Sequence, residues 1–173
     1  MNIAYTMSQG RGDTDLVLFK VAKTLAKMGY KTAGTVQINT ARNPDRKCDM
    51  DVQILPAGPT VRISQSLGRA SKGCRLDPSA LETAVALADE QLALGADILI
   101  INKFGKHEAD GRGFRDTIAT ALSMGIPVLV GANHLNMDAF LSFTEDQAVS
   151  VAPNENTIVE WLQMQMGDTA LVA

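Results

Sequence analysis

Residues 96–115, ADILIINKFGKHEADGRGFR, decide how this chain is read. The apolar run Ile98 to Ile101 breaks at Asn102 into a loop carrying Lys103, Lys106, His107, Glu108, Asp110, Arg112 and Arg115. Gly105, Gly111 and Gly113 punctuate that loop. An apolar strand that empties into a charged, glycine-rich loop and then a helix predicts an α/β sheet, with a site at the carboxyl ends of its strands.

Working outward, the same alternation of strand and helix recurs on both sides. Downstream, a helix is expected from about Gly113 to Met124 with Phe114, Ile118, Ala121 and Leu122 inward, then a strand over Ile126 to Val130. Asn136 is read as the cap of a short helix, MDAFLSF. A short strand over Ala148 to Val151 and a helix from Asn154 to Met166 follow. Upstream, Asp77-Pro78 marks a helix start, Asp as N-cap and Pro at the first helical position, and Leu81, Val85, Ala88 and Leu92 give its buried face. At the beginning, Asn2 to Thr6 reads as a strand, MSQGRGD as a loop, Thr14 to Met28 as a helix and Thr32 to Gln37 as a second strand. Leu18, Ala22 and Leu25 should face the sheet, while Lys20, Lys23, Lys27 and Lys31 form a solvated stripe.

One region breaks the alternation. In CDMDVQIL, Met50, Val52 and Ile54 alternate with Asp49, Asp51 and Gln53, and a Pro56-Ala57-Gly58-Pro59 turn leads into TVRISQ. This predicts an antiparallel hairpin with one wet face. The expected architecture is a three-layer P-loop-like α/β fold, a mainly parallel sheet flanked by helices, with that hairpin inserted. It is read as a single domain, 1–173, with residues 48–76 as a hairpin or flap over the site.

Composition narrows the function. Net charge is -3 over 173 residues, which argues against a general nucleic-acid binder. No apolar run approaches the ~20 residues that span a bilayer, so no membrane insertion is expected, and a cytoplasmic location is the default. Self-association as a homo-oligomer is allowed by the sequence and not specified by it. Cys48 and Cys74 read as two reduced thiols, as a pair, or as soft-metal ligands on the flap, with His134 a further metal candidate on its own loop.

Three loops should converge at the carboxyl edge: Met7 to Asp13, Asn102 to Gly113, and Gly131 to Asn136. The first invites comparison with the phosphate-binding motif G-x-x-x-x-G-K-[ST]. In that register MSQGRGDT puts Met7 at the first glycine, Gly12 at the second, Asp13 at the lysine and Thr14 at the hydroxyl. Gly10, Arg11 and Gly12 could cradle an anion at a helix N-terminus, or form an ordinary turn capped by Asp13 or Asp15. The second loop carries Asn102-Lys103 where a P-loop enzyme carries its magnesium-holding acids. Asp13 and Lys103 are thus opposite inversions, and they would pair if the two loops met at adjacent strand ends. Asn102-Lys103-Phe104-Gly105 resembles a guanine-reading N-K-x-D element but lacks its Asp, which with the missing P-loop lysine makes a GTPase reading weak. Lys103, Lys106, Arg112 and Arg115 form a basic set for an anion, or a solvated loop with surface ion pairs. His107 and Glu108 are the candidates for acid–base work.

The series GTVQ, CDMDV, ISQSLG, GCRLDPSAL, ADILIINKFGKHEADGRGFRD and GIPVLVG resembles the bacterial family called domain of unknown function 2478 over nearly the whole chain. By order of elements the chain also resembles, more distantly, the small P-loop nucleoside-triphosphatases of thermophiles. These resemblances imply a P-loop-like fold and, through the molybdate-transport genes with which members are associated, a link to molybdate or a related oxyanion. They do not carry hydrolysis over, because Asp13 and Lys103 depart from the pattern. The expected function is non-hydrolytic binding of a small anionic ligand, an oxyanion or a nucleotide. The alternative is an atypical magnesium-dependent nucleoside triphosphatase or phosphotransferase.

Overall fold

The computed structural model describes residues 1–10, 12–40, 49–65 and 76–167. The elements are β1 (Ile3–Thr6), α1 (Asp13–Lys27), β2 (Thr32–Thr40), β3 (Asp49–Ile54), β4 (Thr60–Arg62), α2 (Pro78–Ala93), β5 (Ile98–Ile101), α3 (Lys106–Ala109), α4 (Arg115–Ser123), β6 (Val128–Gly131), α5 (Met137–Phe143), β7 (Val149–Ser150) and α6 (Glu155–Met166). The short α3 was not expected from sequence, and α4 begins two residues later than its apolar spacing suggests.

The strands form one seven-stranded sheet in the order β4-β3-β2-β5-β6-β1-β7. Pairing is parallel from β2 through β5, β6 and β1 to β7, and antiparallel across β2-β3 and β3-β4. β5 and β6 are buried at every residue, as strands covered on both faces must be. On one face Leu18, Val21, Ala22 and Leu25 of α1 pack with Ile158, Val159 and Leu162 of α6. On the other lie Leu81, Ala84 and Ala88 of α2, Ile118 and Ala121 of α4, and Phe140 of α5.

This division follows from chain direction. The step from β1 to β2 runs one way along the sheet, and the steps into β5, β6 and β7 run the other way. Parallel crossovers are right-handed, so reversing direction moves the connecting helix to the opposite face. β1 sends its helix to one face and its neighbour β6 sends its helix to the other. The crevice between their carboxyl ends is the switch point where ligands bind in open α/β sheets. The loops after β1 and β6 flank it directly; the loop after β5 is one strand removed.

Two expectations change here. The β3–β4 hairpin lies in the plane of the sheet beyond β2, so its described part extends the sheet instead of forming a flap over the edge. Its polar face is also not fully wet: Asp51 is buried and accepts from Arg62 through Nε at 2.8 Å and Nη2 at 3.2 Å. Cys48 and residues 66–75, including Cys74, lie outside the described residues. Among the described residues no helix is long and apolar enough to cross a membrane.

Candidate functional site

The loop after β1 turns into α1 through Gly12, whose φ of 84° is open to glycine and strained for other residues. The Ser8 amide donates to Thr14 Oγ1 at 2.9 Å, and the Asp13 amide to the Gly10 carbonyl at 3.4 Å. Among the described residues no bond engages the amides of Gln9 and Gly10. The Asp13 carboxylate folds back over Gly10, where a Cβ would overlap it. At the last residue of β1, Thr6 is fully buried and its hydroxyl has no partner. Arg11 lies outside the described residues.

Asn102 is the residue that joins this loop to the rest of the edge. It is buried at 4% exposure. Its Nδ2 donates to Asp15 Oδ1 at 2.9 Å, and its Oδ1 accepts from the Gln37 amide at 2.8 Å. Gln37 Nε2 completes a ring by donating to Asp15 Oδ2 at 3.3 Å. Three elements, α1, β2 and β5, are therefore tied at one point.

The condition for an Asp13–Lys103 pair, adjacent strand ends, is not met. β6 separates β1 from β5, so the two loops do not leave adjacent strands, and both side chains are exposed. Asn102 instead bonds Asp15 in the first turn of α1. Sequence reading missed Asp15 and Gln37 as site residues, since each meets Asn102 only through the tertiary fold.

The rest of the central loop serves mainly its own path. Glu108 is buried at 3% exposure, and its two oxygens accept from the amides of Gly105 at 2.8 Å and Phe114 at 3.1 Å. Gly113, at φ 60°, leaves room for that carboxylate, since a Cβ there would overlap Glu108 Oε1. Arg115 donates to the Glu108 carbonyl at 3.3 Å and lies 4.5 Å above the Phe143 ring. It is thereby held on the α5 face. Lys106 and Arg112 reach Asp110 Oδ2 at 3.0 and 3.7 Å. The Lys106 hydrogen bond holds the Asp110 carboxyl below its usual range, aided by the nearby charges of Lys106, Arg112 and His107.

The predicted site residues therefore fall into groups. Gly10, Gly12, Asp13, Thr14 and Asn102 belong to the edge beside α1. His107 and Arg112 line a groove of about 530 Å³ against Ser79 and Glu82 of α2, on the other side of the sheet, where His107 Nδ1 is buried without a partner. Lys103 and His134 are exposed. No group of three or more His, Cys, Asp or Glu suited to a metal occurs among the described residues.

The α1 edge can be compared with what a magnesium–nucleotide site requires. Such a site holds the ion with a hydroxyl at the helix start and a carboxylate at the end of a nearby strand. Thr14 supplies the hydroxyl position. The strand end supplies an amide, Asn102, whose oxygen and nitrogen are both engaged in the chain. The strand-end carboxylate that holds magnesium in such a site is therefore missing, and the amide in its place has both polar atoms engaged.

The chain belongs to the family of proteins of unknown function DUF2478, whose sequence profile matches residues 3–161. It is 31% identical over 159 residues to the molybdenum import ATP-binding protein ModC 2 of Bradyrhizobium diazoefficiens. That match covers 92% of this chain and 18% of the relative, so the chain spans less than a fifth of that protein's length. In structure it is similar to a human cancer-related nucleoside triphosphatase solved in solution, with a TM-score of 0.62 and 16% identity over 100% of both chains. The fold is accordingly P-loop nucleoside-triphosphatase-like, a mostly parallel sheet with antiparallel strands added at one edge.

Proposed function

We propose that this protein binds a small oxyanion or a nucleotide at the carboxyl edge of its sheet, does not hydrolyse it, and serves molybdenum handling. The observation that carries the reading is the turn from Gly10 to Thr14. It sits at the switch point, leads into α1, and has amides free for an anion among its described residues. The non-hydrolytic part is supported by two departures in chemistry. Asp13 stands where a phosphate-binding loop has its lysine, and Asn102 stands where such an enzyme has its acid. The link to molybdenum is supported by the resemblance to one segment of a molybdenum import ATP-binding protein.

Isothermal titration of the folded protein with molybdate, tungstate, phosphate, ATP and GTP tests this reading. Saturable heat with at least one of them is expected, with no phosphate released from either nucleotide. Absence of heat with all five overturns the binding reading. Steady release of phosphate overturns the non-hydrolytic part and favours an atypical hydrolase.

A further inference from the structure

Resting on that reading, we infer that the site takes its anion without magnesium, and that the anion is a compact, singly or doubly charged oxyanion. The starting point is the ring formed by Asp15, Asn102 and Gln37. Asn102 is buried, with its oxygen held by the Gln37 amide and its nitrogen by Asp15. It has no oxygen to turn toward an ion without breaking a bond in the interior. Both oxygens of Asp15 already accept hydrogen bonds, from Asn102 and Gln37. Thr14 Oγ1 accepts from the Ser8 amide. Among the described residues, the carboxylate at this edge that accepts no hydrogen bond is the exposed one of Asp13, a sparse ligand set for an ion that gives up water reluctantly.

Without a divalent ion the anion must be balanced by the chain. The head of α1 offers about half an elementary charge and its free amides. Asp13 and Asp15 in the same first turn oppose a ligand of high negative charge. A polyanionic triphosphate is therefore disfavoured, and a tetrahedral oxyanion of low charge is the better match. Asn102 acts here as a positioning residue: it fixes the first turn of α1 against β2 and β5 in place of an ion.

The inference is tested by titrating molybdate and ATP into the full chain, once with a chelator and once with excess magnesium. Manganese serves as a paramagnetic probe in parallel. Molybdate affinity should agree within about twofold between the two conditions, and ATP should bind at least roughly tenfold more weakly than molybdate in both. The manganese spectrum should stay that of the free ion in protein alone and in protein with molybdate. Loss of molybdate affinity on chelation, a bound manganese signal, or magnesium-dependent ATP binding tighter than molybdate each overturns the inference while leaving the anion site standing. Absence of heat with any anion in either condition removes the site itself, and the inference with it. In Asn102→Asp, a second carboxylate beside Asp15 should recruit manganese. A folded variant that does not bind manganese overturns the role assigned to Asn102, and the wild-type measurements stand without it.

Discussion

Glu108 has two oxygens and two backbone donors, and that match sets its energetic role. Truncation to alanine leaves the buried Phe114 amide and the Gly105 amide without partners, and a cost of about 2–4 kcal/mol in urea unfolding is expected. Glu108→Gln keeps one acceptor and should lose less. Gly113→Ala should be destabilising as well, because its backbone is left-handed and the new methyl meets Glu108 Oε1. Asp110 shows a different kind of dependence. Its folded pKa lies below the ordinary value of 3.8 because Lys106 favours the charged form. The pair's contribution is thus present above 3.8 and lost as pH falls through the folded value. A carboxyl NMR titration should place the Asp110 midpoint below 3.8, and Lys106→Ala should move it upward. A carboxyl midpoint unmoved by that change would rule out the hydrogen bond as the main cause.

Individual elements show how far local chemistry reaches. Asp77 accepts from the amides of Ser79 and Ala80 at 3.0 and 3.2 Å, as the Asp-Pro signal predicts. Asp77→Ala should lower stability by about 1 kcal/mol, read as a shifted denaturant midpoint with unchanged slope. α1, α2, α5 and α6 are legible because helical spacing is a local signal, joined at α2 and α6 by side-chain caps. α3 is not, since four residues show no periodicity. α4 is displaced because Phe114, an apolar residue in the expected face, lies in the turn before the helix. Asn136 does stand at the N-cap of α5, but without a side-chain cap bond, while Asn133 accepts from the Leu135 amide and caps the 3-10 turn His134–Asn136 just before it. The Asn102 ring is illegible for a stronger reason: its members come from three elements separated by up to 87 positions. A double-mutant cycle on Asp15 and Asn102 should return coupling of about 1 kcal/mol.

At the scale of the whole molecule, strand order is what sequence cannot supply. Parallel pairing joins residues far apart in the chain and leaves no period to read. The loops after β1 and β5 were both expected at the carboxyl edge, and both are there. The strand between them decides which side chains meet. Any ligand that binds only the folded state should stabilise it, by ~2.7 kcal/mol at a hundred times its dissociation constant. A thermal-shift series with molybdate therefore checks binding independently of heat. In native-state hydrogen exchange, the amides of β5 and β6 should be protected longest and those of β4 and β7 least.

Among the described residues, the sheet ends on one side in three residues of β4 and on the other in two residues of β7. Exposed edges are where sheets of separate molecules join into aggregates, and the risk grows with the length of the unpaired ladder. Here each ladder stops almost as soon as it starts, and β4 carries Arg62 and follows Pro59. Over the described residues, the sheet thus offers other chains little template on which to grow.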